Sequence, residues 1–402
     1  MGETKRRSLR IPGSTSILAS LISIGVGLIV GLVLLYVLNA RAAGGAFISL
    51  IITGFRSSDK FAKVLYQAAP LIMTGLSVGF AFKTGLFNIG ATGQYTVGSA
   101  FALIGAIQFQ LPWYICLLLA FIGGAFWGVF PGLFKALFNV NEVITSIMFN
   151  WIAMFAVNLT INNLPMMLAK YWGGAQMDRT ANLAQANPNA LIPRLGLDVL
   201  MRSNYMNISI FIAVVFALAA WVILSKTTFG YELKACGYNR NASIYAGINA
   251  KRNIVLSMVI AGAFAGVGGG LYFLAGTGQY TLLKQLLAAG FNGIPVALLA
   301  TSNPIGTIFS AFFVSYIQVG GDAMQPDFVK EIIDIIISVI IYLAAFALLT
   351  RELLARGKQR REDEAEAAAA SIAEAKVEDS STDRPSAEKP SVSEVKDEVS
   401  KS

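Results

Sequence analysis

Blocks of apolar and small residues, each closed by charges or amides, repeat from Ile17 to Leu349. The first, Ile17–Leu38, runs 22 residues without a charge and follows a basic arm, residues 1–16, that carries Lys5, Arg6, Arg7 and Arg10. About 20 apolar residues in a helix cross a bilayer core, so this block predicts an uncleaved first span. It is too long for a typical signal-peptide core, even though Ala40-Arg-Ala42 could mimic a cleavage site. Residues 39–63, with Arg41, Arg56, Lys60 and Lys63, read as an outer loop. Val64–Phe82 follows as a second span, interrupted by Pro70, Gly75 and Gly79.

Lys83–Ala100 holds too many glycines and amides for an ordinary lipid-facing helix. Irregular backbone at membrane depth is tolerated where protein or a water-filled path surrounds it. Further spans are predicted to about Ile107, over about Trp113–Phe134, from Asn141 to about Ile161, and over Ile208–Leu224, Ile254–Ala275, Leu286–Ala300, Pro304–Gly320 and Ile332–Leu349. The segment 162–207, rich in Asn and Pro, is the longest outer loop. Basic loops at 83, 135, 226–252 and 351–361 then fall on one side. Since Lys and Arg mark the cytoplasmic side, ten spans with both termini inside satisfy the pattern. Two interrupted segments, Phe87-Asn-Ile-Gly90 and Phe291-Asn-Gly293, occupy corresponding places in the two halves, which in a repeat-built transporter points to the transport path.

The basic loop 226–252 carries Lys226, Lys234, Arg240, Lys251 and Arg252 against one acid, Glu232. Within it Asn239–Gly247 reads as a short helix, with Asn239 as its N-cap and Gly247 as its stop. Ala242 and Ala246, four residues apart, share a face. Two readings fit this loop: a docking surface for a soluble partner, or a solvated loop with basic anchors.

Composition narrows the class. The chain is 55% hydrophobic and only 13% charged, against about 25% charged in soluble domains. Residues 1–350 carry a net charge of +11, whereas 351–402 carry −3, so a basic membrane part precedes an acidic, low-complexity tail. The positive charges cap spans rather than forming a stripe, which argues against nucleic acid. The chain has no histidine, and its two cysteines, Cys116 and Cys236, lie in opposite environments, so neither a metal pair nor a disulfide is expected. Gly262, Gly266 and Gly270 form a small-xxx-small ladder within an apolar block rather than a nucleotide loop.

Asn88, Gln94, Tyr95, Asn150 and Asn292 are polar or aromatic groups within apolar spans. They suit either a path for a neutral solute or interhelical hydrogen bonding. Glu142 fits the start of a helix, where the dipole favours an acid. Asp334, flanked by Glu331, is the one acid placed inside a span. An ion-coupled transporter commonly needs more buried acids, and an enzyme needs a nucleophile and base that this pattern lacks.

Four stretches carry a resemblance: GLSVGFAFKTGLFNIGATGQ (75–94), NEVITSIMFNWIA (141–153), GYNRNASIYAGI (237–248) and GFNGIPVALLATSNPIG (290–306). In order and spacing they resemble the ribose/nucleoside branch of bacterial ABC importer permeases, and look like the larger of the two permeases in nucleoside importers. The resemblance covers about residues 17–350 and leaves the acidic tail without a counterpart. It implies an all-α, ten-helix permease similar to the vitamin-B12 importer (type II-like), with two pseudo-repeats after the first helix, in the bacterial plasma membrane. It also implies a second permease subunit, a cytoplasmic ATPase that hydrolyses ATP in its place, and a membrane-anchored substrate-binding lipoprotein outside. No cofactor is implied in this chain. Residues 226–252 would hold the coupling helix, with Gly237, Asn239, Ala242, Ala246 and Gly247 matching the family pattern. The substrate implied is a nucleoside, with a ribose-type sugar as the alternative.

Overall fold

The computed structural model describes residues 13–176, 178–282 and 284–345. Residues 20–348 form a compact unit. Most of the N-terminal arm, the end of the tenth predicted span and the acidic tail lie outside the described residues.

The elements are helices: α1 (Gly13–Arg56), α2 (Ser58–Lys83), α3 (Ala91–Ile107), α4 (Trp113–Phe138), α5 (Glu142–Asn162), α6 (Leu183–Ala186), α7 (Leu197–Met201), α8 (Ser209–Lys226), α9 (Thr228–Tyr238), α10 (Arg240–Tyr245), α11 (Ala250–Phe273), α12 (Ala288–Phe291), α13 (Gly293–Leu299), α14 (Pro304–Asp322) and α15 (Lys330–Ala345). Their starts follow local chemistry. Ser57, Asn141 and Asn303 accept hydrogen bonds from the first free backbone N–H groups of α2, α5 and α14, and Pro304 takes the first position of α14.

Among the described residues, seven helices are long and apolar enough to cross a membrane: α1 from Gly25, α2, α4, α5, α8, α11 and α14. The segment α12–α13 is apolar but short, and α3 and the described part of α15 run 17 and 16 residues. Burial orders the bundle. In their most apolar windows α2 is 89% buried and α11 78%, against 22% for α1 and 28% for α8, and 15 of the 17 residues of α3 are buried, so α2, α3 and α11 form the centre. Outward faces of α1, α4 and α5 expose Val37, Leu118, Phe126, Ile144 and Phe155, as lipid requires.

Glycine sets the tightest packing. A Cβ on Gly266 of α11 would strike the Ala120 carbonyl and Gly124 of α4, and a Cβ on Gly98 of α3 would strike the Cα of Gly266 itself. Three helices therefore meet backbone to backbone at one point. The ladder read from the sequence acts as a helix-packing device.

The structure corrects the outer loop expected over residues 39–63. Asn39 leaves helical geometry (φ −153°, ψ 87°) and breaks α1, but the chain is helical again through Arg56, and α2 starts at Ser58 rather than Val64. The cause is an inward stripe. Ala43, Ala46 and Leu50 are buried at helical spacing, and Leu50 lies against Gly320 of α14. Charge spread along the segment hid that stripe. One of its excess cations, Lys63, pairs with Asp322 of α14 at 2.9 Å.

The segment 162–207 is structured. Backbone bonds join Ala181 to Met167, Ala169 to Arg179, and Thr180 to Tyr280, so short extended runs cross between α5 and α12. Asn187 donates to the carbonyls of Ala106 and Leu111 and seals the end of α3. Tyr280 donates to Asn158 at 3.0 Å, and burial pushes its phenol up to about 12.

Candidate translocation core and coupling element

The irregular turn between α2 and α3 places two amides face to face. Asn88 donates to Gln94 Oε1 at 2.8 Å and to Ser77 Oγ of α2 at 2.9 Å, while Gln94 returns a bond to Asn88 Oδ1 at 3.3 Å. All three side chains are fully enclosed. Tyr95, the next residue, is buried beside Gly268 of α11. Asn150 sits one helix away on α5. Its Oδ1 accepts from Gly93 N at 2.8 Å and its Nδ2 donates to Ile89 O at 3.1 Å, so it pins both sides of the turn.

Asn292 stands at the junction of α12 and α13, half-buried, and shares no hydrogen bond with the Asn88–Gln94 pair. The two interrupted segments nevertheless meet. A Cβ on Gly290 would strike Thr92 at the start of α3, and one on Gly293 would strike Thr74 of α2. The core therefore collects Ser77, Asn88, Gln94 and Tyr95 at one place, Asn150 beside it, and Asn292 on the neighbouring broken helix. Ser77 was not singled out in the sequence, where one serine in an apolar helix carries no signal.

Removing Asn150 tests its share. Asn150→Leu leaves a buried N–H and a buried carbonyl unpaired, and each such group costs about 1–3 kcal/mol. The expected result is a solubilised protein destabilised by about 2–6 kcal/mol, read as a lower melting temperature.

Glu142, first residue of α5, pairs with Lys135 of α4 at 2.9 Å in addition to facing the helix N-terminus. Asp334 is exposed on α15.

On the basic side, the loop 226–252 folds as two short helices. Thr227 caps α9 by accepting from Gly230 N, and Asn239 caps α10 by accepting from Ala242 N at 3.0 Å. Gly247 ends the turn at φ +82°, a conformation that a side chain would strain. Ser243 points inward, 4% exposed, toward Cys236. Ala242, Tyr245 and Ala246, at i, i+3 and i+4, are exposed together. Tyr238 and Tyr245 are 91% and 93% exposed, and in the sequence they stand out only as tyrosines within a polar loop.

This elbow is keyed to the centre of the bundle. A Cβ on Gly237 would lie 2.5 Å from Lys83 O and 3.0 Å from Gly85 N, so the end of α9 rests on the end of α2. Glu232 of α9 accepts from Asn253 of α11 at 3.0 Å, and Thr84 is bonded to Ser257 of α11 at 2.8 Å. These contacts join α9 of the elbow to the end of α2 and to α11.

A helical membrane bundle with an enclosed amide core, broken helices and an exposed basic elbow keyed to its central helices defines a multi-pass transport permease. The chain belongs to the family described as branched-chain amino acid transport system / permease component, which matches residues 60–345. It is 34% identical to the nucleoside ABC transporter permease protein NupB of Lactococcus lactis, across 87% of this chain and 96% of the relative. Identity is also 34% to the guanosine ABC transporter permease protein NupP of Bacillus subtilis, across 86% and 97%. The glucose ABC transporter permease protein TsgB13 of Haloferax volcanii is 29% identical, across 88% and 93%. Two shorter matches, at 26% and 28%, carry the same guanosine and nucleoside transporter descriptions in the same two bacteria. No solved structure matches this chain.

Proposed function

We propose that this chain is the larger permease subunit of an ATP-driven importer of nucleosides. The observation that carries the reading is full-length similarity to a nucleoside and a guanosine permease, each covered over more than nine-tenths of its length. The interior fits a neutral solute. Among the described residues no Asp, Glu, Lys or Arg is buried, and the enclosed polar groups are amides and hydroxyls. A nucleoside needs amide donors and acceptors and aromatic faces, without charge compensation. The same fact weighs against ion coupling, which relies on acids along the path.

In this reading the arm 1–16 and the tail 351–402 are cytoplasmic, 17–350 is the permease domain, and 162–207 faces outward. The shorter segments α3, α12–α13 and α15 add to the seven long helices to give ten crossings, in two pseudo-repeats, of the vitamin-B12-importer type. A second permease completes the pathway, supported by the paired transporter descriptions among the relatives. A cytoplasmic ATPase engages Gly237, Asn239, Ala242, Ala246 and Gly247, and a lipoprotein outside delivers substrate. Asn88, Gln94, Tyr95, Asn150 and Asn292 border the path. The chain itself catalyses nothing and holds no cofactor or metal.

Uptake of radiolabelled nucleosides by cells carrying or lacking this chain tests the reading. Loss of nucleoside uptake on deletion is expected. Intact nucleoside uptake with loss of a sugar would replace it with the sugar reading that the glucose permease favours.

A further inference from the structure

At the end of α2 remote from the coupling elbow, the chain forms a cleft of about 450 Å³ lined by Asp59, Asp198, Arg202, Asn204, Tyr205 and Thr277. That volume is in the range of small-molecule sites. The cleft is built rather than incidental. Ser203, 5% exposed, donates its hydroxyl to Asp59 Oδ1 at 2.7 Å and its N–H to the Asp198 carbonyl at 3.0 Å, which holds the turn after α7 against the start of α2. The Asp198 carboxylate keeps only a long contact, 3.7 Å, to Arg194.

Below the carboxylates the floor is aromatic. The Tyr205 ring centroid lies 5.7 Å from that of Tyr66, and Tyr66 stacks on Tyr272 at 5.6 Å and 29°. On α2, Asp59, Tyr66, Pro70, Met73 and Ser77 recur at helical spacing and fall on one face. That stripe starts in the cleft, passes Gly268, which lies against Met73, the Pro70 carbonyl and Tyr95, and ends on Ser77, the partner of Asn88. One face of α2 thus joins the cleft to the amide core through the buried, packed side chains of Tyr66, Pro70 and Met73.

We infer that this cleft is an outer nucleoside subsite. Its carboxylates, Asp198 foremost, accept hydrogen bonds from the vicinal hydroxyls of the ribose, and its Tyr205 face stacks on the base. Carboxylates beside aromatic rings suit a neutral solute that pairs hydroxyl donors with a flat π-system. The inference rests on the nucleoside reading above, and adds where the solute first touches this chain and which group reads its sugar.

The test uses the assembled importer saturated with loaded binding protein, comparing transport rates of uridine and dideoxyuridine. Asp198→Asn keeps the shape and halves the acceptor capacity of the group. A site built around a hydroxyl discriminates strongly against the analogue that lacks it, so the uridine-over-dideoxyuridine ratio is expected to fall about tenfold, with the dideoxyuridine rate changed less than about twofold. Tyr205→Leu is expected to slow both nucleosides by about tenfold. Membrane amounts and association with the binding protein stay at wild-type levels in both variants. An unchanged ratio in Asp198→Asn overturns the sugar contact, and an unaffected Tyr205→Leu overturns the stacking. Equal loss for both solutes together with weaker association would make the cleft a protein-docking surface and overturn the subsite. A wild-type importer that carries a sugar and no nucleoside would remove the nucleoside reading itself, and the subsite with it.

Discussion

Ala246→Arg is expected to abolish nucleoside uptake while leaving the protein in the membrane at its normal amount. Ala246 closes α10 and is exposed, so a longer side chain there meets solvent and costs the isolated chain little. In the proposed complex the same position sits in the ATPase cleft, where an added cation is buried without a partner. Such a charge costs about 2–5 kcal/mol of docking, a loss on the order of 30-fold or more. Tyr245→Ala probes the same contact from the other direction. An aromatic side chain 93% exposed is a strong candidate anchor, and truncating an anchor residue typically costs about 2–4 kcal/mol. Uptake, membrane abundance and ATPase co-purification together decide the outcome. Normal uptake in Ala246→Arg would return the loop to a solvated one. Uptake lost with co-purification intact would place the defect within the permease. Transmission has its own route: Gly237 rests on the end of α2, and Glu232 is bonded to α11. In the proposed coupling, a displacement of α10 would pass through α9 to the helices that carry Ser77 and Gly268.

How much of this was legible in the sequence depended on whether a signal was local. The cap at Asn239, the stop at Gly247 and the start of the break after Lys83 are set by residues within a turn or two, and each was readable; the break expected to run to Ala100 closes earlier, because α3 is helical from Ala91. The helix over residues 40–56 was not. Its reason is Leu50 resting on Gly320, a contact across some 270 positions, and the charges at Arg41 and Arg56 masked the inward stripe. The amides behaved similarly. That Asn88, Gln94 and Asn150 belong in the interior follows from their place in apolar spans. That Asn88 spends both N–H groups on Gln94 and Ser77, and that Asn150 binds two backbone groups of the turn, depends on folding. The outer cleft was invisible for the same reason, since it joins the start of α2, the turn after α7 and the stretch after α11. Tyr238 and Tyr245 were in plain view, but only exposure separates an anchor from a packed ring.

Gly266→Leu is expected to prevent a stable bundle from forming, whereas Gly45→Leu, a nominally equal change, is tolerated. Both glycines lie in helices, so both exchanges gain helix propensity, about 1 kcal/mol, from the loss of glycine. Space separates them. A Cβ on Gly45 meets nothing within 4 Å, while one on Gly266 strikes Ala120 O, Gly124 Cα and Gly124 N. Those neighbours are backbone, so no rotamer change relieves the clash; α4 or α11 must shift, and Gly98 holds α3 against the same residue. Overpacking a core typically costs about 1–3 kcal/mol when side chains can adjust, so about 3 kcal/mol is the lower bound where they cannot. The comparison is melting temperature of the two solubilised variants, with membrane yield beside it. Gly266→Leu should melt at least about 6 °C below Gly45→Leu or fail to accumulate, and Gly45→Leu should melt at or slightly above the wild type. Equal stability of the two would mean that α3, α4 and α11 do not meet at Gly266 in the membrane. The central position of α11, and with it the route from the coupling elbow to the amide core, would then have to be redrawn.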